Sequence, residues 1–158
     1  MVRYPKVYWR FPFASGVIGK IKIEINTFER EPALPVLKKD LQVENPFYSG
    51  KALIPTFQLE EITASKMRAL YQRSKGRDLY DLWLILSTLH PDYAHISEAF
   101  ESYRPQGVGR QKMIENLSAK LADAMYLADM NLLISPQSPV YDPILAGNMV
   151  MGFINDYL

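Results

Sequence analysis

The chain has 158 residues, of which 48% are hydrophobic and 22% are charged, and its formal net charge is +1. This composition is typical of a globular protein and excludes a disordered or fibrous chain, while the near-neutral charge means that any basic surface must be local. The absence of cysteine excludes a disulfide scaffold, a thiolate zinc site and a cysteine nucleophile.

The chain has no segment that is typical of membrane insertion or secretion. No apolar run approaches the roughly 20 residues that a membrane-spanning helix needs. The first ten residues contain charges and prolines where a signal peptide needs a continuous apolar core. We therefore expect a single domain over residues 1–158, located in the cytoplasm and without a membrane partner.

Residues 5–26 are predicted to form a β-hairpin, because apolar and polar residues alternate on both sides of a short "ASG" turn. The alternating apolar residues are Val7, Trp9, Phe11, Phe13, Ile21, Ile23 and Ile25. We expect this face to be buried. The alternative is that the interleaved basic and aromatic residues stack on nucleic-acid bases.

Residues 28–52 are rich in proline and charge and show no sustained period, which predicts a loop with at most a short strand. A further short strand is predicted over residues 52–57. From residue 59 onward the apolar period is that of helices. The first helix is expected to end at Gly76, and the second is expected to end near His90.

Three more helices are predicted, over residues 92–103, over residues 110–133 and from Asp142 onward. Asp142 is a natural N-cap, and Pro143 suits the first helical position. Strands come first and helices after, which predicts an α+β fold. We expect a small antiparallel sheet in a β-rich part, residues 1–58, packed on a helical bundle in residues 59–158.

The candidate chemistry centres on Lys66, Asp78 and Asp81. Lys66 lies on the apolar stripe of its helix, where its ammonium either reaches the surface along its stem or meets an anion in a cleft. Asp78 and Asp81 share a helix face. They either cap the second helix or face the lysine across the turn, where they hold it, orient it or take part in metal binding. Arg77 beside them is either a phosphate contact or a salt-bridge partner.

Glu24 lies in the middle of a strand, next to Lys22. A solvated sheet face explains this pattern, and so does a carboxylate that binds a divalent cation while Lys22 contacts a triphosphate. His90 and His95 have no other metal ligands near them, so we expect no zinc site. The motifs GxxxxGK[ST], GxGxxG, GxSxG and HExxH do not occur, and neither does an Asp-x-Asp pair.

Three stretches carry a family resemblance: "IKIEIN", "LEEITASKMRALYQRSKGRDLYDLWLIL" and "LSAKLADAMYLADMNLL". Over about residues 5–135 the chain resembles the nucleotidyl transferase AbiEii/AbiGii toxin family, which belongs to the polymerase-β-like nucleotidyltransferases. The resemblance implies a toxin of an abortive-infection or type IV toxin–antitoxin system. It also implies Mg²⁺ and a nucleoside triphosphate as cofactors, with an RNA such as a tRNA-like acceptor and an antitoxin as partners.

The resemblance implies that Lys66, Asp78 and Asp81 are catalytic residues, the second half of a nucleotidyltransferase site in which the lysine contacts phosphate or the transferred nucleotide and the aspartates orient it. Lys66 matches the motif lysine of the family, Asp78 and Asp81 match its "RD..D" motif, and Glu24 occupies the strand where the fold often carries its third carboxylate. We expect these side chains to line one hollow. The Gly-Ser turn and the Asp-x-Asp pair of the fold are missing from this sequence.

The missing motifs predict a partial nucleotidyltransferase fold, either truncated or degenerate, without full catalytic activity. This leaves open whether the chain is an enzyme. The alternative is a non-catalytic interaction module, in which the strand edge at residues 5–13 forms a homodimer or completes its sheet with a partner chain.

Overall fold

A computed structural model describes residues 5–27, 31–131, 133–135 and 138–158. The chain divides into two compact units, Met1–Pro32 and Ala33–Leu158. Two small antiparallel sheets come first and the helices follow. This order confirms the predicted α+β fold.

The first unit contains the predicted β-hairpin. Its strands, β1 (Lys6–Pro12) and β2 (Ile18–Glu24), are antiparallel, and Trp9 lies opposite Ile21. Gly16 has a φ of +82° in the turn, a left-handed conformation that glycine adopts without a steric cost.

The apolar face of this hairpin is exposed, so the expectation that it is buried was wrong. The exposed fractions are 52% for Val7, 67% for Trp9, 54% for Ile21 and 50% for Ile23. The reason is that a two-stranded hairpin has no second layer of its own, and the described residues of this unit supply none.

The second unit opens with another hairpin, formed by β3 (Leu37–Asn45) and β4 (Tyr48–Thr56). At its turn, the Asn45 side-chain oxygen accepts hydrogen bonds from the amides of Phe47 and Tyr48, each at 3.0 Å. The prediction of a loop over residues 28–52 was therefore wrong for most of its length, and residues 28–30 lie outside the described residues. The strand predicted at 52–57 is the end of β4.

The helices form the rest of the second unit. They are α1 (Leu59–Gln72), α2 (Gly76–Leu84), α3 (Tyr93–Tyr103), α4 (Arg110–Leu121), α5 (Ala124–Ala128) and α6 (Pro143–Tyr157), and a π-helical turn (Ile85–Leu89) extends α2. The core lies between them and includes Met67, Leu79, Leu82, Ile96, Phe100, Leu117, Val150 and Ile154. None of the described helices is long and apolar enough to cross a membrane.

Two helix boundaries differ from the prediction. Gly76 is the first residue of α2 and does not end α1, which stops at Gln72. The long helix predicted over 110–133, of which residue 132 lies outside the described residues, is broken at Asp123. The side chain of Asp123 accepts a hydrogen bond from the amide of Met125 at 2.8 Å and so caps α5.

The start of α6 is as predicted. The side chain of Asp142 accepts hydrogen bonds from the amides of Ile144 at 2.8 Å and Leu145 at 3.0 Å, and Pro143 occupies the first helical position. The cap fixes where α6 begins and thereby which of its residues, such as Val150, face the core.

Glu61 is a buried carboxylate that holds the start of the second unit to the helices. It is 1% exposed and accepts hydrogen bonds from the amides of Ala33 at 2.9 Å and Leu34 at 2.8 Å. It also accepts one from the hydroxyl of Tyr103. These bonds replace the hydration that a buried carboxylate loses, so Glu61 has a structural role.

Candidate functional site

The turn between α1 and α2 brings Lys66, Asp78 and Asp81 together. The Lys66 ammonium donates a hydrogen bond to Oδ2 of Asp81 and lies 3.8 Å from Oδ1 of Asp78. The Lys66 side chain is 29% exposed, whereas that of Asp78 is completely buried. The ammonium of Lys66 is therefore held by two aspartates while part of its side chain stays exposed.

Arg73 binds the buried carboxylate of Asp78 from the end of α1. Its Nε and Nη2 atoms lie 2.7 Å from Oδ2 and Oδ1 of Asp78, respectively. These hydrogen bonds raise the pKa of the Arg73 guanidinium. Both oxygens of Asp78 are therefore satisfied by a planar, permanently charged partner.

This pairing shows that the capping interpretation of Asp78 and Asp81 was wrong. The N-cap of α2 is Lys75, and its side chain makes no capping hydrogen bond. Asp78 lies in the first turn of α2, where the helix dipole still favours a negative charge. Its side chain, however, is directed to Arg73 and Lys66.

The carboxylate of Asp129 caps the start of α2, where the side chain of Lys75 makes no capping hydrogen bond. Its Oδ2 atom accepts a hydrogen bond from the amide of Gly76 at 2.8 Å. A Cβ atom at residue 76 would lie 3.0 Å from the backbone oxygen of Tyr126 and 3.1 Å from Cβ of Asp129. Both contacts are tighter than most Cβ contacts, so the close approach of this segment to the turn favours glycine.

Lys120, on α4, holds the other side of the turn. Its ammonium donates hydrogen bonds to the backbone oxygens of Leu70, Tyr71 and Arg73, the last two at 3.1 and 3.0 Å. These carbonyls end α1, where a cation is favoured by the helix dipole. Burial lowers the pKa of Lys120, an effect that the nearby Asp78 opposes.

Tyr126 completes the surroundings of Asp78. It is 4% exposed. Among the buried side-chain nitrogen and oxygen atoms in the described part of the chain, its hydroxyl alone has no hydrogen-bond partner. Burial raises the pKa of Tyr126, with smaller contributions from Tyr141, Asp78 and Asp129. The cluster thus contains three cations, three carboxylates and a phenol, which are Lys66, Arg73, Lys120, Asp78, Asp81, Asp129 and Tyr126.

A model of the nucleotidyl transferase AbiEii toxin family of type IV toxin–antitoxin systems matches residues 1–144. The chain belongs to this family. Comparison with curated proteins and with solved structures gave no match. The AbiEii match confirms the resemblance that the sequence suggested, and it covers both hairpins and α1 to α5.

The other predicted site residues of this AbiEii chain have different surroundings. Arg77 is exposed on α2, and its side chain pairs with none of the described residues. Glu24 and Lys22 lie in the first unit, where the Lys22 ammonium is 2.8 Å and the Lys6 ammonium 3.5 Å from the Glu24 carboxylate. The hydrogen bond between Lys22 and Glu24 lowers the pKa of Glu24 and raises that of Lys22.

The described residues do not by themselves fit a magnesium centre. They contain no group of three or more His, Cys, Asp or Glu side chains that could hold a metal ion. The carboxylates of Glu24, Asp78 and Asp81 are each paired with lysine or arginine. A metal ion at any of them would therefore have to displace a cation that the carboxylate already binds.

Sequence reasoning missed Arg73, Lys120 and Asp129. Arg73 lies five residues before Asp78, on the other side of the turn, and the "R..GRD" pattern is the feature that could have identified it. Lys120 and Asp129 meet the turn across 50 and 53 residues of sequence. No local pattern marks contacts of that separation.

Proposed function

We propose that this AbiEii chain binds a nucleoside triphosphate with the ammonium of Lys66. The observation that carries the proposal is that Lys66 is held between Asp78 and Asp81 while its side chain stays 29% exposed. An ammonium has three N–H donors. The two aspartates take at most two of them, so a phosphate oxygen can accept the third while the aspartates fix the position of the charge.

Arg77 is proposed to contact the remaining charge of the triphosphate, and Lys22, in the first unit, is proposed separately as a phosphate ligand. Arg77 is exposed and has no partner among the described side chains, so binding would cost it no existing ion pair. Lys22 would have to exchange Glu24 for phosphate. Glu24, in the first unit, is proposed to supply one oxygen to a Mg²⁺ ion there, which would have to displace Lys22 and Lys6 from the carboxylate.

We propose further that nucleotide transfer by this chain alone is slow or absent. Phosphoryl transfer of this kind is accelerated chiefly by metal ions that stabilise the attacking and leaving oxygens. The Asp-x-Asp pair that holds those ions in related folds does not occur in this sequence. An RNA end is the proposed acceptor, and the type IV toxin family supports an antitoxin as a partner.

Isothermal titration of the chain with each of the four ribonucleoside triphosphates and Mg²⁺ tests the proposal. We expect weak binding that Lys66→Ala abolishes. Lys112→Ala is the matched control, because the Lys112 ammonium binds the backbone oxygen of Gly107, at 2.9 Å, away from the cluster. No heat with any triphosphate, or equal heat with Lys66→Ala, would exclude a nucleotide site at Lys66.

A second candidate function is a non-catalytic interaction module, and the exposed apolar face of the first hairpin favours it. Trp9 and Ile21 are opposite each other on this face and more than half exposed. Sedimentation at rising concentration should then show a dimer that Trp9→Glu dissociates. A chain that remains monomeric at the highest concentration would exclude homodimer formation.

A further inference from the structure

The other face of the first hairpin is strongly basic. The side chains that alternate with the apolar ones are Lys6, Tyr8 and Arg10 on β1 and Lys20, Lys22 and Glu24 on β2, in the cross-strand pairs Lys6–Glu24, Tyr8–Lys22 and Arg10–Lys20. Four cations and one carboxylate give this face a net charge of +3, although the whole chain carries only +1. The charge is therefore concentrated on one face of two strands.

The cations nearest the turn are available to a ligand. Arg10 is exposed and forms no ion pair within the described part of the chain. Lys20, directly opposite, has its ammonium 5.1 Å from the centre of the Tyr8 ring. Tyr8 itself is 48% exposed and lies in the middle of the four cations.

Glu24 limits the charge at the far end of the face. Its carboxylate pairs with both Lys22 and Lys6. A polyanion that reached these lysines would have to displace Glu24. The carboxylate therefore opposes anion binding on this face, and its removal should strengthen that binding.

We propose that this face binds the backbone of single-stranded nucleic acid, without sequence preference. Residues on one face of a strand recur about every 6.8 Å, so two adjacent strands present a flat array of cations to an extended polyanion. A half-exposed aromatic ring within such an array is a stacking platform for an unpaired base. A duplex offers no unstacked base to Tyr8, and this favours a single strand.

This inference rests on β1 and β2 alone and does not require nucleotide transfer. A substitution at Glu24 distinguishes this proposal from the proposed function. Replacement of Glu24 by glutamine removes a competitor for the lysines and should strengthen binding of a single strand. The same replacement removes the proposed oxygen ligand of Mg²⁺ in the first unit and should weaken binding of that ion.

The test is fluorescence anisotropy of the whole chain with a labelled oligouridylate of about 12 nucleotides, within the site sizes of single-strand binders, at several salt concentrations. Each phosphate contact contributes about −0.7 to the slope of log K against log salt for single strands. The double variant Arg10→Ala/Lys20→Ala should reduce the steepness of that slope by about 1.4. The matched control is Lys38→Ala/Lys51→Ala on the second hairpin, which removes the same charge and should change neither affinity nor slope.

Three further variants distinguish charge from stacking. Arg10→Lys should retain binding, Glu24→Gln should increase the affinity, and Tyr8→Ala should reduce it about tenfold for the single strand with no effect on a duplex of the same length. No binding by the wild type at low salt would overturn the proposal. So would equal losses in the double variant and its control, or duplex binding as tight as that of the single strand.

Discussion

Arg73 and Asp78 form a two-pronged ion pair across the turn between α1 and α2. Nε and Nη2 of the arginine each lie 2.7 Å from a different carboxylate oxygen. The carboxylate is completely buried, whereas the arginine side chain is 48% exposed. The buried charge is therefore held by a partner that reaches it from the surface, and the position of Asp78 depends on that partner.

Replacement of Arg73 by methionine should destabilise the fold, because it leaves the buried Asp78 carboxylate with Lys66 as its remaining cation. Loss of one partner of a buried pair typically costs about 3–5 kcal/mol. Since Arg73 is half exposed, we expect about 2 kcal/mol. Urea denaturation with an unchanged m value measures the loss. Arg77→Met is the control and should change the free energy of unfolding by less than about 0.5 kcal/mol.

Lys66 and Asp81 should be coupled weakly in the absence of ligand. Their side chains are 29% and 36% exposed, so solvent screens the pair. A double-mutant cycle with Lys66→Met and Asp81→Asn should give a coupling energy of about 1 kcal/mol. If the pair serves only to tie α1 to α2, both variants lose stability and the wild-type chain binds no nucleoside triphosphate. A coupling near zero would contradict the observed contact.

Lys120 should contribute more to stability than an ordinary surface lysine. Its ammonium donates to three carbonyls that end α1, in two partly buried hydrogen bonds and one exposed one, and an acceptor left unsatisfied away from water costs about 1–3 kcal/mol. We expect Lys120→Met to lower the free energy of unfolding by about 2 kcal/mol. Lys112→Met, which removes one hydrogen bond at an exposed backbone oxygen, should cost much less. Equal losses would show that the three carbonyls are satisfied by water in the variant.

The part of the cluster that sequence could predict is the part held by local geometry. Lys66, Asp78 and Asp81 lie on two helices joined by a short turn, and their spacing alone places them on facing sides. The first hairpin is equally local, since seven consecutive cross-strand pairs flank one turn. The period of the apolar residues and the residue types in the turn are enough to predict such elements.

The remaining features depend on partners that are distant in sequence. Asp129 meets Gly76 across 53 residues, and Lys120 meets Leu70 across 50. The strand β3 contains charged residues at both faces and is specified by its pairing with β4. The sequence did not reveal the break at Asp123, because the apolar period continues through this residue. The signal for the break is that an aspartate side chain can cap a helix, as Asp123 does here.

Tyr126 should make the stability of the chain sensitive to alkaline pH. Burial raises the pKa of its hydroxyl above the ordinary value of 10, so the folded chain keeps it neutral while the unfolded chain ionises it. Its contribution is fully present below about pH 10 and falls as the pH rises above that value, by up to about 1.4 kcal/mol per unit.

Tyr126→Phe should therefore flatten the loss of stability above about pH 10, as measured by urea denaturation at a series of pH values. At neutral pH the variant should be as stable as the wild type or up to about 1 kcal/mol more stable, because the lost hydroxyl has no partner among the described residues. Tyr48→Phe is the matched control, since Tyr48 is 63% exposed and the variant removes a hydroxyl at the surface. A loss of more than about 1 kcal/mol at neutral pH in Tyr126→Phe would mean that the hydroxyl is hydrogen-bonded in solution, most simply to a buried water that bridges it to Asp78 or Asp129.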